Sequence, residues 1–203
     1  MANLVVIAGN GLTIDLCNHF KLWDYIDPTN LFRFGDLVPW PDSENEAGFL
    51  SRYHCPNLWN LGARPFMSGS ESYNLIEEIL TCANAMSLRS SRDSSSPFIL
   101  AYFELAEYLK HLFVYYNAKV SDQLINERAS SWAWIKFLQE SCKRYETISI
   151  VTYCYDIFLE RALLATSMDF ALGGLQDASD SKIVIQGSTS WVMRDGDGAS
   201  RMI

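Results

Sequence analysis

Three short polar clusters hold the residue types from which a nucleotide site could be built. The first is Gly9-Asn10-Gly11, with Thr13 and Asp15 close behind. Two glycines one residue apart tolerate positive φ and let a ligand come close to the backbone, and a helix that starts there offers free N–H groups to an anion. A pyrophosphate suits such a turn. The third glycine of the usual dinucleotide fingerprint is missing, because position 14 is Ile14. The same residues also suit a plain strand-to-helix turn with Thr13 or Asp15 as a local cap. The second cluster is Thr152, Cys154 and Asp156, and the third is Gln186-Gly187-Ser188. Other chemistries find less support. His19, His54 and His111 are far apart and follow no metal-ligand spacing, so no metal site is expected. Asp195 and Asp197 flank Gly196 but lack the twelve-residue calcium pattern with its closing glutamate. No G-x-S-x-G nucleophile turn occurs.

Each cluster follows a short apolar run. Leu4 to Ala8 precedes the glycine turn, Thr147 to Val151 precedes Thr152, and Lys182 to Ile185 precedes Gln186. After the first two runs come helical patterns, Thr13 to Phe20 and Ile157 to Leu164. Strand, turn and helix in succession imply a parallel α/β sheet whose ligands sit beyond the carboxyl ends of its strands. Between the first two strands lies a long insertion, residues 22–146. Its first part holds five of the six prolines and Trp23, Trp40 and Trp59, which marks an irregular, aromatic-rich region. From Ser70 to Leu172 there is no glycine and Pro97 is the single proline, so this part is expected to be helical. Stripes at Leu75, Ile76, Ile79, Leu80 and Ala83, at Leu105, Leu109, Leu112 and Phe113, and at Trp134, Ile135 and Leu138 predict three helices that bury one face in the core. The serine run Ser90 to Ser96 reads as a linker ahead of the second.

The order of the clusters carries a resemblance. VVIAGNG, then ISIVTYCYDIFLERAL, then KIVIQGSTSW resembles the sirtuin-like (silent information regulator two) superfamily of NAD-consuming domains, and within it the bacterial anti-phage defence branch. Thr152, Tyr155, Asp156, Leu159, Glu160 and Ala162 match that branch's second motif, and Gly187, Ser188 and Trp191 match its third. The resemblance implies a single Rossmann-like domain over residues 1–203, a parallel sheet flanked by helices, shortened or incomplete at its C-terminal end. It implies NAD as substrate or ligand, held by Gly9, Asn10, Gly11, Thr13, Asp15, Thr152, Asp156, Gly187 and Ser188. It also implies hydrolysis to nicotinamide and ADP-ribose, in a homo-oligomer or a multi-component defence complex.

Two catalytic positions depart from the family pattern. Its asparagine falls on Cys154 and its histidine on Gln186. In the family the asparagine places the attacking water or ribose, and the histidine acts as base on a ribose hydroxyl while the glycosidic bond opens. Glutamine accepts no proton near neutral pH. A positioned general base is worth ~10²–10⁴ in rate, so the resemblance implies an impaired or silent hydrolase. Binding can outlast chemistry, since Asp156 still suits a hydrogen bond to a ribose or carboxamide and Gln186 still both donates and accepts.

Composition narrows the partners. With 16 basic against 24 acidic side chains the net charge is −8, which offers no basic patch for a phosphate backbone, so nucleic-acid binding is not expected. Five scattered cysteines with no C-x-x-C pair point to reduced thiols and a cytoplasmic setting. The most apolar stretch, Phe98 to Tyr116, carries Glu104, Glu107 and Lys110 and reads as a buried helix rather than a membrane span.

Overall fold

A computed structural model describes residues 2–40, 47–87, 96–154, 156–168 and 170, together with the strand backbones at 182–186, 190–194 and 200–202. The chain divides into two compact units. One combines Met1–Lys21 with Tyr116–Ile203, and the other is Leu22–Tyr115. The expected insertion over 22–146 therefore ends earlier in space than in sequence, because residues 116–146 group with the strands.

The first unit opens with β1 (Asn3–Ala8), which passes through Gly9 into α1 (Asn10–Phe20). Leu12, Thr13, Leu16, Cys17 and Phe20 recur at helical spacing and are buried together, which sets the face α1 turns inward. The helix ends at Lys21, whose left-handed backbone (φ 59°) lets its N–H donate to the Cys17 carbonyl. The unit resumes at the end of α4 (Pro97–Lys119) and continues through α5 (Asp122–Arg128), a 3₁₀ turn at Ala129–Ser131, and α6 (Ala133–Cys142). Ser121 caps α5 by accepting from the Leu124 N–H at 3.2 Å. Next come β2 (Thr147–Thr152) and α7 (Phe158–Ala165).

β1 and β2 pair in parallel, in register from Asn3 opposite Thr147 to Ala8 opposite Thr152. Leu4, Val6, Ile148 and Ile150 are half-buried on one face, while Val5, Ile7 and Val151 are exposed on the other. The described strands thus give a mixed α/β unit, mostly helical, with a two-stranded parallel sheet. The third expected strand, β3 (Lys182–Gln186), forms as a strand, but its partner is β4 (Ser190–Arg194), antiparallel, and β4 pairs with β5 (Ser200–Met202). Among the described residues no pairing joins β3 to β1 or β2. A short antiparallel return after the third cluster satisfies the backbone of β3 locally, with no crossover helix.

Arg161 ties α7 to the chain that leads into α5. Its buried guanidinium donates to the carbonyls of Asn117 and Val120, to Asn117 Oδ1 and to the Asp122 carboxylate. Both terminal nitrogens, Nη1 and Nη2, meet two acceptors each, which is how a charge survives burial. Phe20 and Trp132 meet edge to face, with ring centres 5.9 Å apart, at the heart of the unit.

The second unit bears out an ordered, irregular, aromatic-rich start. From residue 22 to 55 the described chain runs in turns, yet Leu22, Ile26, Phe32, Val38, Phe49 and Leu50 are almost fully buried. Two helices follow, α2 (Pro56–Asn60) and α3 (Gly69–Ser87), and then most of α4. The Glu104 carboxylate accepts from the N–H groups of Asn57 and Leu58 and from Asn57 Nδ2, so a side chain of α4 serves as the anion at the start of α2. The Tyr108 hydroxyl donates to the Leu31 carbonyl at 2.6 Å, anchoring the irregular segment. The three expected helices are present as α3, α4 and α6, with α5 in addition. Leu80 departs from its stripe and is exposed. Most of the serine run, residues 90–95, and the Asp195 to Asp197 segment lie outside the described residues. No described helix is long and apolar enough to cross a membrane.

Candidate functional site

The ends of β1 and β2 lie side by side because the parallel register sets Ala8 opposite Thr152. The ladder runs one step further, the Tyr153 N–H donating to the Ala8 carbonyl at 2.9 Å. That step carries Cys154 to the glycine turn, where its Sγ donates to the Gly9 carbonyl at 3.0 Å. The Cys154 N–H turns back to Thr152 Oγ1 at 3.0 Å, so Thr152 shapes this bend with its own hydroxyl.

A second bond closes the site from the helix side. Thr13, buried in α1, donates from Oγ1 to Asp156 Oδ2 at 2.6 Å, across 143 residues of sequence. The other Asp156 oxygen, Oδ1, accepts from the Phe158 N–H at 3.2 Å and covers the start of α7. Burial pushes the Asp156 carboxyl above the ordinary aspartate range, and the bonds from Thr13 and Phe158 draw it part of the way back.

The glycine turn departs from expectation in its backbone. Gly9 is extended (φ −132°) and Gly11 lies inside α1, so neither uses the positive φ that glycine allows. What the glycines leave is space: a Cβ added at either position would have no described atom within 4 Å. Gly9 is the residue before the helix and gives no side-chain cap, and the first turn of α1 carries no acidic side chain. A helix start that is open above its backbone and carries no acidic side chain of its own in the first turn suits an anion.

Of the residues expected to meet a dinucleotide, the structure brings Gly9, Asn10, Gly11, Thr13, Thr152, Cys154 and Asp156 to one end of the strand pair. Asp15 is a correction. It lies too deep in α1 to cap it, and the helical rotation carries its side chain to Trp132, whose Nε1 donates to Asp15 Oδ2 at 2.8 Å. Thr13 is likewise no cap, since the helix already begins at Asn10. Gln186 closes β3, but its side chain, Gly187 and Ser188 lie outside the described residues, as does Tyr155. Sequence reading gave no role to Glu160, which stands four residues after Asp156 in α7. Its place in the second motif was the signal for it.

No family model, curated protein or solved structure matches this chain. The chemistry open to the site therefore rests on its geometry and on the motif resemblance.

Proposed function

We propose that the open turn at Gly9 to Gly11 binds the phosphates of NAD and that the site cleaves NAD to nicotinamide and ADP-ribose only weakly, as a sirtuin-like domain of the anti-phage defence branch. The observation that carries this reading is the pair of cross-links at one strand end, Thr13 to Asp156 and Cys154 to Gly9, which unite the first and second motifs beside an uncapped helix start. Gly9 and Gly11 admit the pyrophosphate and α1 faces it with N–H groups. Asp156 accepts from a ribose hydroxyl or from the carboxamide. A Rossmann-like sheet that also takes in β3 belongs to the same proposal.

Cys154 stands where the family's asparagine would place the attacking water, and its thiol is already committed to the Gly9 carbonyl. That bond favours a second reading, in which the site recognises NAD or ADP-ribose without cutting it and serves a defence assembly as a ligand-sensing part.

Titration with NAD and with ADP-ribose tests both. A ligand held only by the folded chain adds about 2.7 kcal/mol of stability at a hundredfold excess over Kd, read as a rise in melting temperature. Absence of a rise with either compound rejects the nucleotide site, and assay of free nicotinamide separates slow cleavage from none. Gly11→Ala gives the site-specific control. In a helix interior alanine is favoured over glycine by up to about 1 kcal/mol, so the variant should melt at or above the natural temperature while losing the NAD-induced rise. A retained rise would place the phosphates elsewhere.

A further inference from the structure

We infer that, of the two carboxyls behind the glycine turn, Glu160 is the one that gives up its proton last, and that it acts as a positioning residue by leaving the charge to Asp156. Glu160 lies in the first turn of α7, and Asp156 precedes that helix and covers its start through Oδ1. Their circumstances differ in donors. Both Asp156 oxygens are bonded, one to the Thr13 hydroxyl and one to the Phe158 N–H. Glu160 Oε2 is buried and has no hydrogen-bond partner. An ionised oxygen buried without a donor is far costlier than a neutral one, and two carboxyls in one buried region resist ionising together. The proton settles on the carboxyl whose buried oxygen has no donor, Glu160 Oε2.

The surrounding charges reinforce this. On α7 itself, Arg161 is spent on Asn117, Val120 and Asp122. On α5, Asp122 is taken by Arg161, Glu127 accepts from Gln123, and Arg128 donates to the Phe20 carbonyl. On α1, Asp15 serves Trp132, and His19 lies against Ser131 and the Arg128 carbonyl. Burial, helped by the charge of Asp156, raises the Glu160 carboxyl above the ordinary glutamate range, and a backbone hydrogen bond at Glu160 draws it part of the way back.

A group whose affinity for protons is raised by folding binds more protons in the native state than in the unfolded one. Its contribution to stability is therefore full below the ordinary value of about 4.3 and is lost as pH rises through the raised one. Glu160→Gln keeps the shape of the neutral acid and removes that loss. Its melting temperature should match the natural chain near pH 4 and exceed it increasingly toward pH 8. A difference that stays flat with pH overturns the inference.

Carbon-detected NMR of glutamate carboxyls in the natural chain gives the second measurement, independent of any variant's folding. One carboxyl should titrate well above about 4.3; its signal should vanish in Glu160→Gln and move to lower pH in Asp156→Asn. Glutamates that all titrate in the ordinary range, or a raised one unmoved by Asp156→Asn, overturn the assignment. The effect on ligand capture rests on the nucleotide reading above, whereas the proton does not. If ADP-ribose raises the melting temperature at no pH while the titration behaves as described, the ligand reading fails and the proton assignment stands.

Discussion

Nicotinamide release from NAD should rise by ~10²–10⁴ in the double variant Cys154→Asn, Gln186→His, measured at saturating NAD against the natural chain. On the function proposed above, each substitution supplies one contribution that the family pattern carries at that position. A histidine at position 186 supplies a base that can accept a ribose proton near neutral pH, which glutamine cannot. An asparagine at 154 can keep the donor that Cys154 Sγ gives to the Gly9 carbonyl, since its Nδ2 carries two N–H groups, and still offers an oxygen to position water. The single variants should each gain less, because a base without a placed nucleophile, or the reverse, completes neither half of the reaction. No gain in the double variant, with NAD binding retained, would mean that the third cluster does not reach the strand end where the first two meet.

Trp132→Ala should destabilise the first unit by about 3–5 kcal/mol, measured by denaturant unfolding, which is the range for emptying a large aromatic site in a core. Trp132 is 1% exposed, packs edge to face with Phe20, and donates its indole N–H to Asp15. The alanine variant loses all three contributions. Trp132→Phe keeps most of the ring contact and should cost markedly less, the remainder reporting the indole bond. Equal losses in the two variants would assign the whole effect to that one hydrogen bond.

Much of the secondary structure was legible because its signals are local. The β-branched runs at Leu4 to Ala8 and Thr147 to Val151 form the expected strands, and the stripes around Ile79, Leu112 and Ile135 form helices. That the first two clusters would meet was legible too, since parallel strands with helices after them put their carboxyl ends together. Partner choice was not. The Lys182 run announces a strand but says nothing of its neighbour, and the following chain supplies an antiparallel one. Helical phase was the other gap. From composition alone Asp15 is a polar residue near a glycine turn; only the position of the first helical residue shows that it faces Trp132. The division of the insertion near residue 115 was likewise hidden, because α4 runs without a break through that point.

A sheet of two strands has little independent strength and borrows its persistence from the helices laid against it. The amides of Asn3 to Ala8 and of Thr147 to Thr152 should then open to solvent deuterium as one cooperative event, carrying the glycine turn and the Asp156 bend with them. Any ligand that bridges the two bends only while the strands are paired would lower the equilibrium population of the opened form and so protect both sets of amides together.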